Sequence, residues 1–190
     1  MKNLSIGVLI GTIIAIIVNF MFLFPVYATD NPEIVINSMA NNTLNAVKNR
    51  QGDIESIVDQ YVIPYIDLES VSKLAVGKYW KSFTSDQRTR FTAVFKQLLI
   101  RTYSTPLRDY KGTAPEVRRT IVKEDKAQVD TTVVLNTPVN VSYRLRLVDG
   151  GWKIFDVSIE GISLIVSYRS TYDQFLKTNT VDALIAKLSV

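Results

Sequence analysis

Apolar residues recur at helical spacing as far as Tyr103 and at every second position from Ala127 onward. The chain must therefore build helices first and a sheet second, with Pro115 near the change of period. Start and stop signals divide the first half. Asn31-Pro32 predicts an N-cap followed by proline at the first helical position, and Ile34, Val35, Met39, Leu44 and Val47 follow up to the break at Gln51-Gly52. Asp53 caps a second helix carrying Ile57, Val58 and Tyr61 that ends near Pro64. Asp67 caps a third that closes at Gly77. Thr84-Ser85-Asp86-Gln87 is a capping box, and behind it runs a wide stripe of Phe91, Val94, Phe95, Leu98, Leu99, Thr102 and Tyr103.

The second half alternates. Arg118 to Lys123 predicts a first strand; Ala127, Val129, Thr131, Val133 and Leu135 line one face of a second; Val139, Val141, Tyr143, Leu145 and Leu147 line one face of a third. Asn136-Thr137-Pro138 and Asp149-Gly150-Gly151 predict the hairpin turns. The fourth strand places Trp152 and Ile154 on one face and Phe155, Val157 and Ile159 on the other, a phase change that predicts a bulge. Helical spacing returns with Leu164, Ile165, Tyr168, Tyr172, Phe175 and Leu176, and Thr180 caps a short last helix. The expected fold is α+β: helices packed on one twisted antiparallel sheet of about four strands.

Residues 1–28 read as a segment for export. Lys2 precedes an apolar run from Leu4 to Phe24, Pro25 stops it, and Val26-Tyr27-Ala28 resembles a cleavage site. An uncleaved anchor is the alternative, since the run is long enough to cross a bilayer. The expected organisation is a signal peptide over 1–28 and a single domain over 29–190, outside the cytoplasm.

Neither Cys nor His occurs in the 190 residues. That excludes disulfides, thiol nucleophiles, imidazole triads and Cys or His metal sites. Among the carboxylates, Asp130 and Asp156 fall on strands. Asp156, flanked by apolar residues, is the one expected to be partly buried, as a paired structural group rather than a proton-transfer base. Lys and Arg exceed Asp and Glu by 22 to 18. Beyond Lys2 the surplus lies in residues 100–126, where Arg101, Arg108, Lys111, Arg118 and Arg119 offer a surface for anionic head groups or an acidic partner, or simply a solvated turn. So small a surplus does not suggest nucleic acid.

Periodicity cannot distinguish a packed stripe from a lined pocket. A resemblance points to the pocket. Ile57-Val58-Asp59-Gln60, Pro64-Tyr65, Leu74, Gly77-Lys78-Tyr79-Trp80-Lys81-Ser82, Thr84, Gln87-Arg88, Phe95 and Tyr103 are similar to the MlaC family, periplasmic phospholipid-binding proteins of the toluene-tolerance type. Gly151-Trp152, Asp156, Glu160-Gly161-Ile162-Ser163-Leu164-Ile165, Tyr168-Arg169 and the final helical piece continue the likeness, which spans about Asn31 to Leu188.

The resemblance implies a single lipid-binding domain with a deep apolar cavity, no catalytic activity, and no cofactor besides the bound phospholipid. It implies a monomeric carrier that exchanges lipid with an inner-membrane ABC transporter, through its MCE-domain subunit, and with an outer-membrane lipoprotein complex, maintaining outer-membrane lipid asymmetry. A related branch is associated with hopanoids, so the lipid class stays open. On this reading the tail-facing residues are Tyr79, Phe91, Phe95, Leu98, Leu99, Tyr103 and Ile165 from the helices. The sheet contributes Val133, Leu135, Val141, Tyr143, Leu145, Val157 and Ile159. Trp80 and Trp152 are assigned to structure. Two rivals are a small α+β enzyme acting through Asp156 or Asp130 and an envelope adaptor with a filled interior.

Overall fold

The computed structural model describes residues 31–134 and 137–189; the expected signal segment, Leu135 and Asn136 lie outside them. Side-chain caps set the helix starts. Helix α1 (Pro32–Lys48) begins where the Glu33 amide donates to Asn31 Oδ1 at 3.0 Å. For α2 (Ile54–Tyr61) the Ser56 amide donates to Asp53 Oδ1 at 2.9 Å, and for α3 (Leu68–Val76) the Ser70 amide donates to Asp67 Oδ1 at 3.0 Å. Helix α4 (Ser85–Asp109) opens on the full capping box: Gln87 N donates to Thr84 Oγ1, and Thr84 N donates back to Gln87 Oε1. Short 3-10 turns, Ile63–Tyr65 and Gly77–Ser82, follow α2 and α3. Gly77 takes φ 57° at the end of α3, a left-handed conformation that favours glycine.

Five strands follow as an antiparallel meander: β1 (Glu116–Lys123), β2 (Lys126–Val134), β3 (Pro138–Val148), β4 (Gly151–Ile159) and β5 (Ile162–Ser163). The four expected strands are joined by β5, whose two residues are too few to show a period. Asp149-Gly150 and Glu160-Gly161 form two-residue turns with positive φ throughout, matching the strand twist. Helix α5 (Leu164–Leu176) is capped by Ser163, and α6 (Val181–Leu188) by Thr180.

The bulge sits where the phase change placed it. Arg144 pairs with Asp156 and Leu145 with Ile154, so Phe155 is the extra residue. Its effect corrects one expectation. Trp152, Ile154, Val157 and Ile159 all share the face of Tyr143 and Leu145, while Phe155 turns to the other side, where the Arg144 guanidinium lies 5.4 Å from its ring centre.

Two packed regions frame the interior. Helices α3 to α6 bury Val71, Trp80, Phe83, Phe91, Phe95, Tyr172 and Leu184 in one cluster. Helix α1 lays Val35, Ile36 and Met39 on Ala127, Val129, Leu145, Trp152 and Ile154 of the sheet. The segment before α3 is tied to β4 by a parallel bridge between Ile66 and Ile154 and by Asp67 N donating to Ile154 O at 2.9 Å. Between these regions the interior is hollow.

Candidate functional site

The hollow has two chambers. The first, about 300 Å³, lies between the sheet residues Val141, Tyr143, Ile154, Val157 and Ile159 and the helical side. Val58 of α2 and Val62 at its C-terminal cap, Leu99 and Tyr103 of α4, and Leu164, Ile165 and Tyr168 of α5 form that opposite wall. The second, about 290 Å³, runs from Thr43 and Leu44 of α1 past Pro106, Leu107 and Tyr110 to Pro115 and Val133. Met39, Val58, Val62, Tyr103 and Tyr143 border both, so the chambers adjoin across these side chains.

Two polar side chains on the walls, Thr43 and Asp156, are satisfied by the protein. Thr43 Oγ1 donates to Met39 O at 2.7 Å. Asp156, fully buried, accepts from Ser163 Oγ at 2.7 Å and from Ile165 N at 3.2 Å, and it pairs with the Arg144 guanidinium. Both carboxylate oxygens are therefore occupied, and the acid anchors the start of α5 to β4. Burial pushes the Tyr143 hydroxyl up to about 12, with the nearby Tyr110 adding to the rise. Burial also raises Tyr103, helped by Tyr168. These tyrosines stay neutral near pH 7, leaving the walls a surface suited to hydrocarbon.

Of the residues expected to face a ligand, Leu99, Tyr103, Val141, Tyr143, Val157, Ile159 and Ile165 line the first chamber, and Val133 lines the second. Phe91 and Phe95 stack with ring centres 5.5 Å apart and meet Tyr172 and Tyr168 edge-on; they fill the helical cluster and line neither chamber. Tyr79 and Leu98 pack at the margin of that cluster, and Leu145 is buried beneath α1. Helix geometry explains the division. Residues at i+4 advance about 40° around the axis, so the α4 stripe turns by about 120° from Phe91 to Tyr103. Its early residues meet α5 and its last ones reach the cavity.

Sequence reasoning missed Met39, Val58, Val62, Ile63, Ile66, Val71, Ile154, Leu164 and Tyr168 on the first wall. The available signal was the α2 stripe: Val58 and Val62 stand one turn apart and face both chambers. Asp130 is held by Ser142 Oγ and Gln128 Nε2, both at 2.7 Å, away from both chambers. Arg101 donates to Leu188 O at 2.9 Å, and Arg118 pairs with Glu116 while donating to Thr132 Oγ1. Arg108, Lys111 and Arg119 are exposed, the first two close in sequence to Pro106, Tyr110 and Pro115 of the second chamber.

Known proteins are similar to this chain in sequence and in fold. The family model for the MlaC protein matches residues 34–190. The chain is 22% identical over 181 residues to the intermembrane phospholipid transport system binding protein MlaC of Haemophilus influenzae, covering 85% of this chain and 82% of that one. It is 28% identical over 123 residues to the toluene tolerance protein ttg2D of Pseudomonas putida, covering 63% of this chain and 57% of that one. Among solved structures, the phospholipid-binding protein of Ralstonia solanacearum, in complex with a phospholipid, superposes with a TM-score of 0.76. It is 25% identical to this chain, with coverage of 83% of this chain and 94% of that one. The chain belongs to the MlaC family.

Proposed function

We propose that this protein is a phospholipid carrier that holds acyl chains in the paired chambers while the lipid moves between membranes of the cell envelope. The observation that carries this reading is the adjoining pair of apolar spaces, about 300 and 290 Å³, whose walls are aliphatic and aromatic apart from Thr43 and Asp156, both bonded within the protein. Such a wall suits hydrocarbon, which neither donates nor accepts hydrogen bonds. The phospholipid in the related Ralstonia structure supports the same ligand class.

Energetics explain the need for a carrier. Each methylene exposed to water costs about 0.8 kcal/mol, so a lipid with about thirty of them faces a penalty on the order of 20 kcal/mol. Tails must pass directly from a membrane or partner into a protected interior. The partners that suit this role are an inner-membrane ABC transporter with an MCE-domain subunit and an outer-membrane lipoprotein complex. The exposed cations Arg108, Lys111 and Arg119 suit an anionic docking surface. The engagement of both Asp156 oxygens supports binding over proton transfer.

Native mass spectrometry of the purified protein tests the proposal. Added mass that fragments to phospholipid is the expected result. A chain that emerges free of lipid and stays free after incubation with phospholipid vesicles overturns it.

A further inference from the structure

One row of paired residues crosses the inner face of the sheet: Val117, Thr131, Val141, Ile159 and Ile162 on β1 to β5. Exposure climbs along its second half, from 9% at Val141 through 38% at Ile159 to 66% at Ile162. The wall of the first chamber thus continues outward along an apolar track. Among the described residues that line this chamber, Ile159 alone is exposed. Val166, in the first turn of α5, adds another branched side chain, 55% exposed. Leu164 and Ile165, its immediate predecessors, line the chamber. β5 has only two residues, and among the described residues no further strand covers the far side of Ile162.

The second chamber ends differently. Its exposed lining residue is Pro106, and Thr105, Arg108, Asp109 and Lys111 surround it in sequence. Hydrocarbon crossing there meets charged groups and the water they hold. At the β5 end it meets aliphatic side chains, whose exposure is itself unfavourable by roughly 25 cal/mol per Å².

We propose that acyl chains enter and leave the cavity across the lip formed by Ile159, Ile162 and Val166, so that the short fifth strand serves as the portal. The portal rests on the carrier reading above and locates where its cargo passes. A lipid crossing this lip keeps its tails against apolar side chains from the outside to Val141.

The absence of cysteine makes the test specific. Ile162→Cys or Val166→Cys provides a single thiol, to which a bulky group is attached through a reducible disulfide. The full chain is used, purified as the producing cell leaves its N-terminus. Donor vesicles of phosphatidylethanolamine and phosphatidylglycerol carry a self-quenched fluorescent phospholipid, and its uptake and release are followed over time. The bulky group at either lip position is expected to slow both directions at least about tenfold, with the amount bound at equilibrium unchanged, and reduction is expected to restore the rates. The same group on Thr105→Cys, beside the other opening, or on Val122→Cys, on the edge strand, is expected to leave the rates within about twofold. Unchanged exchange with both lip positions blocked, or slowing from Thr105→Cys instead, overturns the portal while leaving the carrier standing. Unmodified protein that takes up no lipid overturns the carrier and the portal together, before any label is attached.

Discussion

The helical cluster and the chamber beside it draw on one helix and reach opposite outcomes. In the cluster, Phe91 and Phe95 stack on each other and receive Tyr168 and Tyr172 edge-on, so aromatic rings fill the space between α4 and α5. Farther along α4, Leu99 and Tyr103 face Val141, Val157 and Ile159 across about 300 Å³ of open volume. Composition does not separate them; neighbours do. The cluster is closed by α6, which adds Leu184, Ile185 and Leu188. The chamber is bounded by a twisted sheet whose branched side chains are too short to meet the helices opposite. One region supplies stability and the other capacity.

The largest expected effect separates them by truncation. Phe95→Ala should destabilise the fold by about 3–5 kcal/mol in urea melts, the cost of emptying a filled aromatic site. A loss below about 1 kcal/mol would show that the cluster is not the stabilising half. Alkaline titration comes next. Folded Tyr143 keeps its proton to about 12, whereas the unfolded chain releases it near 10, so between these values the folded state binds more protons. Stability should therefore fall as pH rises through that window, by on the order of 3 kcal/mol at completion. Tyr143→Phe should blunt this fall in melts compared at pH 8 and pH 11; an unchanged slope would place the hydroxyl in water.

Filling the hollow should cost less. Val141→Trp or Val133→Trp is expected to abolish lipid co-purification while shifting stability by less than about 1.5 kcal/mol. In a solid interior the same insertion would cost up to about 3 kcal/mol or unfold the chain. The smallest effect belongs to the surface. Arg108→Glu with Lys111→Glu should slow transfer from anionic vesicles a few-fold at low salt, with retention unchanged and the difference gone at about 1 M salt. Equal rates at low salt would remove these cations from docking.

What could be read from the residues follows the range of each interaction. Caps at Asn31, Asp53, Asp67, Thr84 and Thr180 act over three residues or fewer, and each was legible. Ser163 was not singled out, though its oxygen accepts from Val166 N by the same chemistry. The bulge could be seen because period two fails visibly when a residue is added. Its consequence for Phe155 could not, since that depends on which half of β4 keeps the inward phase. The α4 stripe showed which residues are apolar, not that Phe95 meets Tyr168 while Tyr103 meets a void. A cavity is a relation among five or more elements, and no local pattern encodes the distance between them. Met39, Val58 and Ile66 were hidden for that reason.

The extra residue in β4 also constrains how this strand can change its length. Deleting Phe155 would restore strict alternation with Trp152, Ile154, Val157 and Ile159 still on one face, whereas deleting Lys153 or Ser158 would exchange inside for outside along one part of the strand. The Lys153 deletion takes Trp152 from the floor beneath α1; the Ser158 deletion takes Ile159 from the cavity wall. Hairpin tips such as Asp149-Gly150 can gain or lose residues at the periphery, and within β4 it is at the bulge that a single-codon deletion spares both scaffold and hold.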